Sequence, residues 1–273
     1  MRINMKQIGI HILLGLIAIV LLFPILFAFV NSFKTFEEAT NHIWRIIPIK
    51  PTLENYKYVF SALPFVKITW NTFIIATIVT IFKSITSILA AYAFVFFDFK
   101  GKRGVYFLLI STMFIPFTVT MIPNYITISQ LGLNDNIMGV ALPQFADALG
   151  IFLLRQSMRT IPRSLVEVAK IEKIGHARVM KDIIVPIIKP SVVSTGIIFF
   201  INSWNEYVWP VLILKSKDNY TLSLALQMFI SAEGGTDFTV AMAVSVITMM
   251  VPLLMYIIFQ RYIINTFALS GVK

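Results

Sequence analysis

Long apolar runs separated by polar connectors dominate the chain, and the runs are longer than a soluble helix or strand requires. Gln7 to Phe33 carries no Lys, Arg, Asp or Glu, and Ile68 to Phe97 carries only Lys83. Gly104 to Asn134 is uncharged, and Ile137 to Leu154 is interrupted by Asp147 alone. Ser191 to Leu214 holds only Glu206, and Phe238 to Gln260 is again free of charge. A helix needs about 20 mostly apolar residues to cross a bilayer, because hydrocarbon offers no partner for backbone N–H and C=O groups. The pattern predicts an all-α polytopic membrane protein. Its six transmembrane helices fall at about residues 8–33, 69–97, 105–126, 137–155, 191–213 and 238–260, in a single domain over 1–273. The first run is longer than the roughly 7–15 residues of a signal-peptide core and lacks a nearby A-x-A-like site, so it reads as a retained helix.

Composition narrows the function. Hydrophobic residues make up 58% of the chain and charged residues 13%, against about 45–50% and about 25% in soluble domains. That excludes an ordinary soluble enzyme, and it excludes disorder, which needs few apolar residues and much charge. The absence of cysteine excludes a disulfide framework, thiol catalysis and a cysteine-ligated metal site. The net charge of +10 is explained by loop bias rather than by nucleic-acid binding. With the N-terminus inside, fifteen Lys and Arg fall on the inner side, among them Arg2, Lys6, Lys102, Arg155 and Lys273. Seven, from Lys34 to Lys67 and at Lys215 and Lys217, fall outside. The positive-inside rule then makes both termini cytoplasmic.

Two connectors are long. The segment from Lys34 to Lys67 carries three prolines and is expected to hold short helices over the outer mouth. The inner segment 160–190 has a helical pattern of its own. Ser164 with Glu167 three residues on reads as a capping box. Val168, Ala169, Ile171 and Ile174 recur at roughly helical spacing as the apolar side, opposite Glu167, Lys170, Glu172, Lys173 and Arg178. A second helix is expected from about His176 to Val185, with Pro186 and Pro190 leading into the next span. By its residues alone this helix–turn–helix is either an interfacial anchor or a docking surface for a cytoplasmic partner.

Glu167-Val168-Ala169 followed by Ile183-Ile184-Val185-Pro186 resembles the EAA motif of binding-protein-dependent ABC importer permeases. Asn55-Tyr56, Asn71-Thr72, Ala90-Ala91-Tyr92-Ala93-Phe94, Leu153-Leu154-Arg155-Gln156 and Trp204-Asn205-Glu206-Tyr207-Val208-Trp209-Pro210 are similar to the carbohydrate branch, as is the Ser270-Gly271-Val272-Lys273 tail. The likeness runs in order along nearly the whole chain. It matches the second permease subunit, of the type found in maltose and glycerol-3-phosphate importers. The resemblance implies a bacterial inner-membrane permease that passes a sugar or polyol phosphate. It also implies a cytoplasmic coupling helix between helices four and five. The implied coupling residues are Glu167, Ala169, Lys170, Glu172, Lys173, Gly175, Arg178 and Pro186. The implied partners are a second permease chain, two ATPase subunits that bind ATP and Mg, and an external solute-binding protein. The sequence departs from the motif at Lys173, where the family has glycine, and at Glu172, where it usually has aspartate. Lysine does not readily take positive φ, so Gly175 is expected to supply the turn.

Ionisable residues at mid-bilayer cost about 2.5–3.5 kcal/mol on insertion scales and mark a cavity, a partner or a pathway. Lys83 and Asp147 fall near the middle of helices two and four, and Glu206 in the outer half of helix five. On helix five, Asn202, Asn205, Glu206 and Trp209 share an arc of roughly 100°, a polar strip with an aromatic edge suited to a hydroxylated solute. Equally, Lys83 pairs with Asp147 or Glu206 as a bridge between helices, and Trp209 is an interfacial aromatic. His11, His42 and His176 are scattered and form no metal-ligand cluster. There is no G-x-x-x-x-G-K-[ST] loop, no G-x-S-x-G elbow and no H-E-x-x-H pair, so ATP hydrolysis belongs to a separate chain. The rivals are an ion-gradient-driven transporter of a small polar solute, which wants midplane carboxylates, and a non-transporting membrane scaffold.

Overall fold

The computed structural model describes residues 5–230 and 237–271, with side chains over 7–230 and 237–261. Arg2 and Lys273 of the charge count, and Val272 of the tail motif, lie outside the described residues. Among the described residues there is no strand. In chain order the helices begin with α1 (Met5–Ser32), α2 (Phe36–Asn41), α3 (Glu54–Ala62), α4 (Phe65–Phe96), α5 (Lys102–Ser111) and α6 (Phe117–Gln130). There follow α7 (Ile137–Ala141), α8 (Ala148–Met158), α9 (Arg163–Ile171), α10 (His176–Val179) and α11 (Val185–Ile187). The last are α12 (Lys189–Asn205), α13 (Val208–Ile213), α14 (Leu222–Ile230) and α15 (Phe238–Gly271).

Three helices are long and apolar enough to cross a membrane unaided: Gln7–Ser32, Phe65–Phe96 and Phe238–Arg261. The remaining apolar runs are broken. Lys102–Phe114 meets Phe117–Gln130 at 98°, Ile137–Gln144 meets Ala148–Met158 at 45°, and His176–Ile187 meets Lys189–Asn205 at 83°. Counting each bent pair as one span gives up to six. The continuous helix expected over 105–126 is therefore two pieces. Pro116 has no N–H and its ring clashes with the carbonyl four residues back, so α5 stops and Pro116 becomes the extended residue that opens α6. The α14 helix was not foreseen at all.

The described residues of Met1–Val66 and Leu224–Val251 form one compact unit, and those of Lys67–Ser223 and Pro252–Lys273 a second. In the first, Asn55 organises the end of α1. Its amide donates to the Ser32 carbonyl, which α1 leaves unbonded at its C-terminus, and to the Lys34 carbonyl just beyond, both at 2.8 Å. Thr239, near the start of α15, places its hydroxyl 3.0 Å from Asn55 Oδ1. Short helices α2 and α3 do occupy the segment between Lys34 and Lys67. Thr35 caps α2, accepting from Glu38 N at 3.2 Å. Lys34 is fully buried and donates to the carbonyls of His42 and Ile43, both at 3.0 Å. Burial pushes its ammonium below the usual lysine range, against the opposing pull of Glu38.

In the second unit, a core of Ala91, Tyr92, Val95, Leu154, Met158, Val166, Ala169 and Ile184, among others, joins the ends of α4 and α8 to α9–α11. Close approach deeper in the unit depends on two glycines. A Cβ on Gly150 would meet Phe199 at 2.3 Å and Ser87 Oγ at 2.5 Å, and one on Gly139 would meet the Leu133 carbonyl at 2.2 Å.

Candidate functional site

Two places carry the chemistry flagged by the sequence: the helix–turn–helix after α8 and the polar groups within the apolar runs. In the first, α9 opens at Pro162, which sits in an extended conformation at the N-cap with no side-chain cap bond. The Ser164–Glu167 capping box does not form, because proline already stops the preceding backbone and Ser164 lies inside the helix. The buried face also differs from expectation. Val166 and Ala169 enter the core, whereas Val168 and Ile171 are exposed, Ile171 by 78%. The helix has apolar residues on two sides, and only the side with small Ala169 packs down. Leu165, Val168 and Ile171, three residues apart, form an exposed apolar stripe. Exposed Glu167, Lys170 and Glu172 flank it.

The turn after α9 is made by Lys173. It takes φ 55°, while Gly175 has φ −67° and simply caps α10. The expected transfer of the turn to Gly175 does not occur. The backbone shows why: Ile174 N donates to Ala169 O at 2.9 Å and Lys173 N to Lys170 O at 3.0 Å. That pair is a Schellman closure, whose left-handed residue falls on position 173 by geometry whatever side chain is there. Ile174 then packs against the core. His176 sets Nδ1 2.9 Å from the Tyr92 hydroxyl. From His176 the helix passes through a π turn at Met180–Ile184 into α11, which carries Pro186. Arg178 and Pro186 are exposed.

Within the apolar runs, the carboxylates act first as caps. Asp147 is the extended residue before α8, and its Oδ1 accepts from Gly150 N at 3.0 Å. Its Oδ2 lies 3.3 Å from Lys83 Nζ in the middle of α4, with both side chains largely covered. The Lys83 ammonium also stands 5.4 Å from the centre of the Phe199 ring. Phe82 stacks on Phe145 at 4.2 Å and Thr86 donates to the Phe145 carbonyl at 2.8 Å, so α4 grips the α7–α8 break at three points.

The helix expected over 191–213 ends at Asn205. Pro210 lies four residues beyond Glu206, so a continuous helix would lose the bond to the Glu206 carbonyl and drive the proline ring into it. Glu206 instead extends (ψ 128°), and its Oε1 accepts from Val208 N at 2.9 Å and Trp209 N at 3.2 Å. The Trp204 carbonyl, deprived of its helical partner, accepts from the Ser223 hydroxyl at 3.0 Å. The common arc of Asn202, Asn205, Glu206 and Trp209 is therefore broken. Trp209 is 2% exposed and its indole N–H donates to the Gly139 carbonyl at 3.2 Å. Asn202 and Asn205 are exposed and Glu206 is half-buried. Among the described residues, Glu206 Oε2 has no hydrogen-bond partner.

The connectors beyond α6 and α13 meet at Asp135. Its carboxylate accepts from Lys215 N at 2.9 Å and Ser216 N at 3.0 Å and from the Ser216 hydroxyl. The Ser216 bonds hold it well below the usual carboxylate range. The sequence reading had no signal for this clasp, nor for the exposed stripe on α9, which needed a choice between two apolar sides. Among the described residues no group of three His, Cys, Asp or Glu is placed to hold a metal.

Comparison with known proteins agrees with this architecture. Residues 53–267 match the family described as binding-protein-dependent transport system inner membrane component. The sn-glycerol-3-phosphate transport system permease protein UgpE of Brucella melitensis is 30% identical over 263 residues, covering 93% of each chain. Its counterpart from Yersinia pestis is 31% identical over 262 residues, again with 93% of each covered. A chain in the crystal structure of a bacterial ABC transporter involved in the import of the acidic polysaccharide alginate shares the fold. Its TM-score is 0.79 at 22% identity, over 96% of this chain and 99% of that one.

Proposed function

This chain belongs to the family of binding-protein-dependent transport system inner membrane components, and from that premise we propose that it is the second permease subunit of a glycerol-3-phosphate importer. Relatives of that name at 30% and 31% identity over most of the chain support the choice of a polyol phosphate over other carbohydrate-type solutes. Family membership favours an ATP-driven importer over the ion-gradient alternative. In this reading the whole chain is one permease domain. The first two bent pairs are each a single span, Lys189–Asn205 of the third is another, and with the three long helices they make six, with both termini facing the cytoplasm. The partners are a second permease chain, two ATPase subunits with their ATP and Mg, and an external binding protein.

The observation that carries the proposal is the exposed stripe Leu165–Val168–Ile171 on a helix whose other side is locked into the core by Val166 and Ala169. A rigidly seated amphipathic helix with a bare apolar face and flanking Glu167 is built to be held by another protein. Its core is shared with α4 and α8, so movement of α9 is transmitted directly to membrane helices. ATP-driven closure of the ATPase pair moves Arg163–Ile171 and the following turn, with Lys170, Glu172, Lys173, Gly175, Arg178 and Pro186 as the surrounding contact surface. The helices then rock to admit solute from the outer side, and hydrolysis resets them.

For the solute path, Asn202, Asn205 and Glu206 supply exposed or half-buried polar groups beside the α12–α13 break. Lys83 and Asp147 satisfy one another and, with Trp209, build the wall behind it. Isolation of the chain from its membrane in mild detergent should recover an ATPase, a second multi-span chain and a solute-binding protein. Glu167→Lys should lose the ATPase and abolish uptake with the membrane partner retained. Unchanged ATPase recovery would remove α9 from the coupling role.

A further inference from the structure

Beside the docking helix, and independent of the solute assigned above, lies a cavity of about 570 Å³ bounded by the end of α4, the first turn of α5 and the end of α8. Its floor is apolar, from Phe94, Val95 and Ile161, but its rim holds Lys102, Arg103, Arg155, Arg159 and Arg163 against the single carboxylate of Asp98. Asp98 does not neutralise them. It lies 3.3 Å from Lys102 Nζ and 3.9 Å from the Arg163 guanidinium, and is itself largely exposed. Lys102 also donates to the Phe97 carbonyl at 2.6 Å and Arg163 to the Val95 carbonyl at 3.3 Å. Among the described residues Arg103 and Arg159 have no ion-pair partner.

Arg155 is held for use rather than spent. Its guanidinium lies 3.9 Å over the Tyr106 ring, which fixes its plane. Yet Arg155 Nε and the Tyr106 hydroxyl are both buried without a hydrogen-bond partner. A buried donor left unpaired is destabilising, and two such groups in one basic cavity point to an acceptor-rich anion. A tetrahedral phosphate suits guanidinium donors from several directions. The neighbouring face of α5 presents Phe107 and Leu108, 70% and 67% exposed, as a surface for hydrocarbon.

We propose that this cavity binds a phosphate-bearing anion, either the headgroup of an anionic phospholipid or free phosphate. Occupancy completes the bonding of Arg155 and Tyr106 and braces α5 and α8 at the root of the docking helix. Arg155 and Tyr106 are half-buried and stacked on one another, so the test uses the exposed pair Arg103 and Arg159. Binding of dioctanoyl phosphatidylglycerol to the purified full chain is measured by native mass spectrometry, with dioctanoyl phosphatidylcholine and inorganic phosphate as companion probes. Arg103→Gln with Arg159→Gln should weaken phosphatidylglycerol about tenfold or more, since each lost charge-assisted contact is worth about one decade. Lys181→Gln with Lys189→Gln removes the same charge from exposed positions outside the cavity and should leave binding unchanged. Phosphatidylglycerol bound in preference to phosphatidylcholine, and not displaced by phosphate, identifies a lipid site. Displacement by phosphate, with phosphate binding lost in the same arginine variant, identifies free phosphate. Equal loss in both double variants, or equal binding of phosphatidylcholine, overturns the proposal.

Discussion

The chain turns sharply in two very different places, after α9 and between α12 and α13, and it satisfies the freed backbone in opposite ways. After α9 the closure is made by backbone alone, and a left-handed lysine is tolerated at its centre. That lysine is exposed, so its charge costs nothing and water serves whatever the turn leaves open. Between α12 and α13 the freed groups lie in an apolar run. There Glu206 caps the next helix, and Ser223 satisfies the Trp204 carbonyl. The α7–α8 break repeats this second solution with Asp147, and adds Lys83 to balance the charge. At the exposed turn conformational energy is spent; at these two breaks within apolar runs a polar side chain serves the freed backbone groups.

That contrast is most severely tested at Lys83. Lys83→Ala leaves Asp147 charged and unpaired in an apolar setting. It should destabilise the chain by about 3–5 kcal/mol, read as a lower unfolding midpoint in detergent. Pairing Lys83→Met with Asp147→Asn keeps the cap, removes both charges and should recover most of the loss. Failure to recover would mean that the pair matters as a charge rather than as a balanced cap.

Glu206 separates capping from charge at lower cost. Glu206→Ala removes the acceptor for Val208 N and Trp209 N and should cost about 0.5–2 kcal/mol, as lost N-caps do. Glu206→Gln retains an acceptor and should hold stability near wild type while reducing uptake. Normal uptake in the glutamine variant would take Glu206 out of the solute path. On the wet side, Lys173→Gly relieves a left-handed side chain and should stabilise the chain by about 1 kcal/mol. A loss of stability there would show that the lysine side chain, not the backbone closure, holds the turn.

The smallest effect is expected at the Asp135 clasp. Its carboxylate is held below the ordinary range in the folded chain. Its contribution is therefore full above that range and fades as pH falls through the depressed value. Protection of the Lys215 and Ser216 amides from hydrogen exchange should be constant above the normal carboxylate range, begin to fall as pH drops through it, and keep falling toward the depressed value. Asp135→Asn should remove this dependence. Protection that does not change with pH in the wild-type chain would mean that the clasp is open in solution.

The apolar runs and the helix–turn–helix between residues 160 and 190 were legible because both are one-dimensional signals. Bilayer thickness demands unbroken hydrophobicity, and a family motif keeps its spacing. Even the break at Glu206 was written in the chain, through Pro210 four residues on, although an apolar count ignores it. The face of α9 was not legible, since Val166 and Ala169 compete with Val168 and Ile171 for the core and hydrophobicity alone does not rank them. Nor was the choice of Asp147 over Glu206 as the partner of Lys83, which rests on α4 gripping the α7–α8 break. The sequence by itself determined which stretches are apolar enough to lie in lipid and which segment between them folds as a helix–turn–helix. Only the tertiary structure decided which polar groups are consumed by the fold and which remain free, because pairs such as Lys83 with Asp147 and Trp209 with the Gly139 carbonyl join residues far apart in the chain.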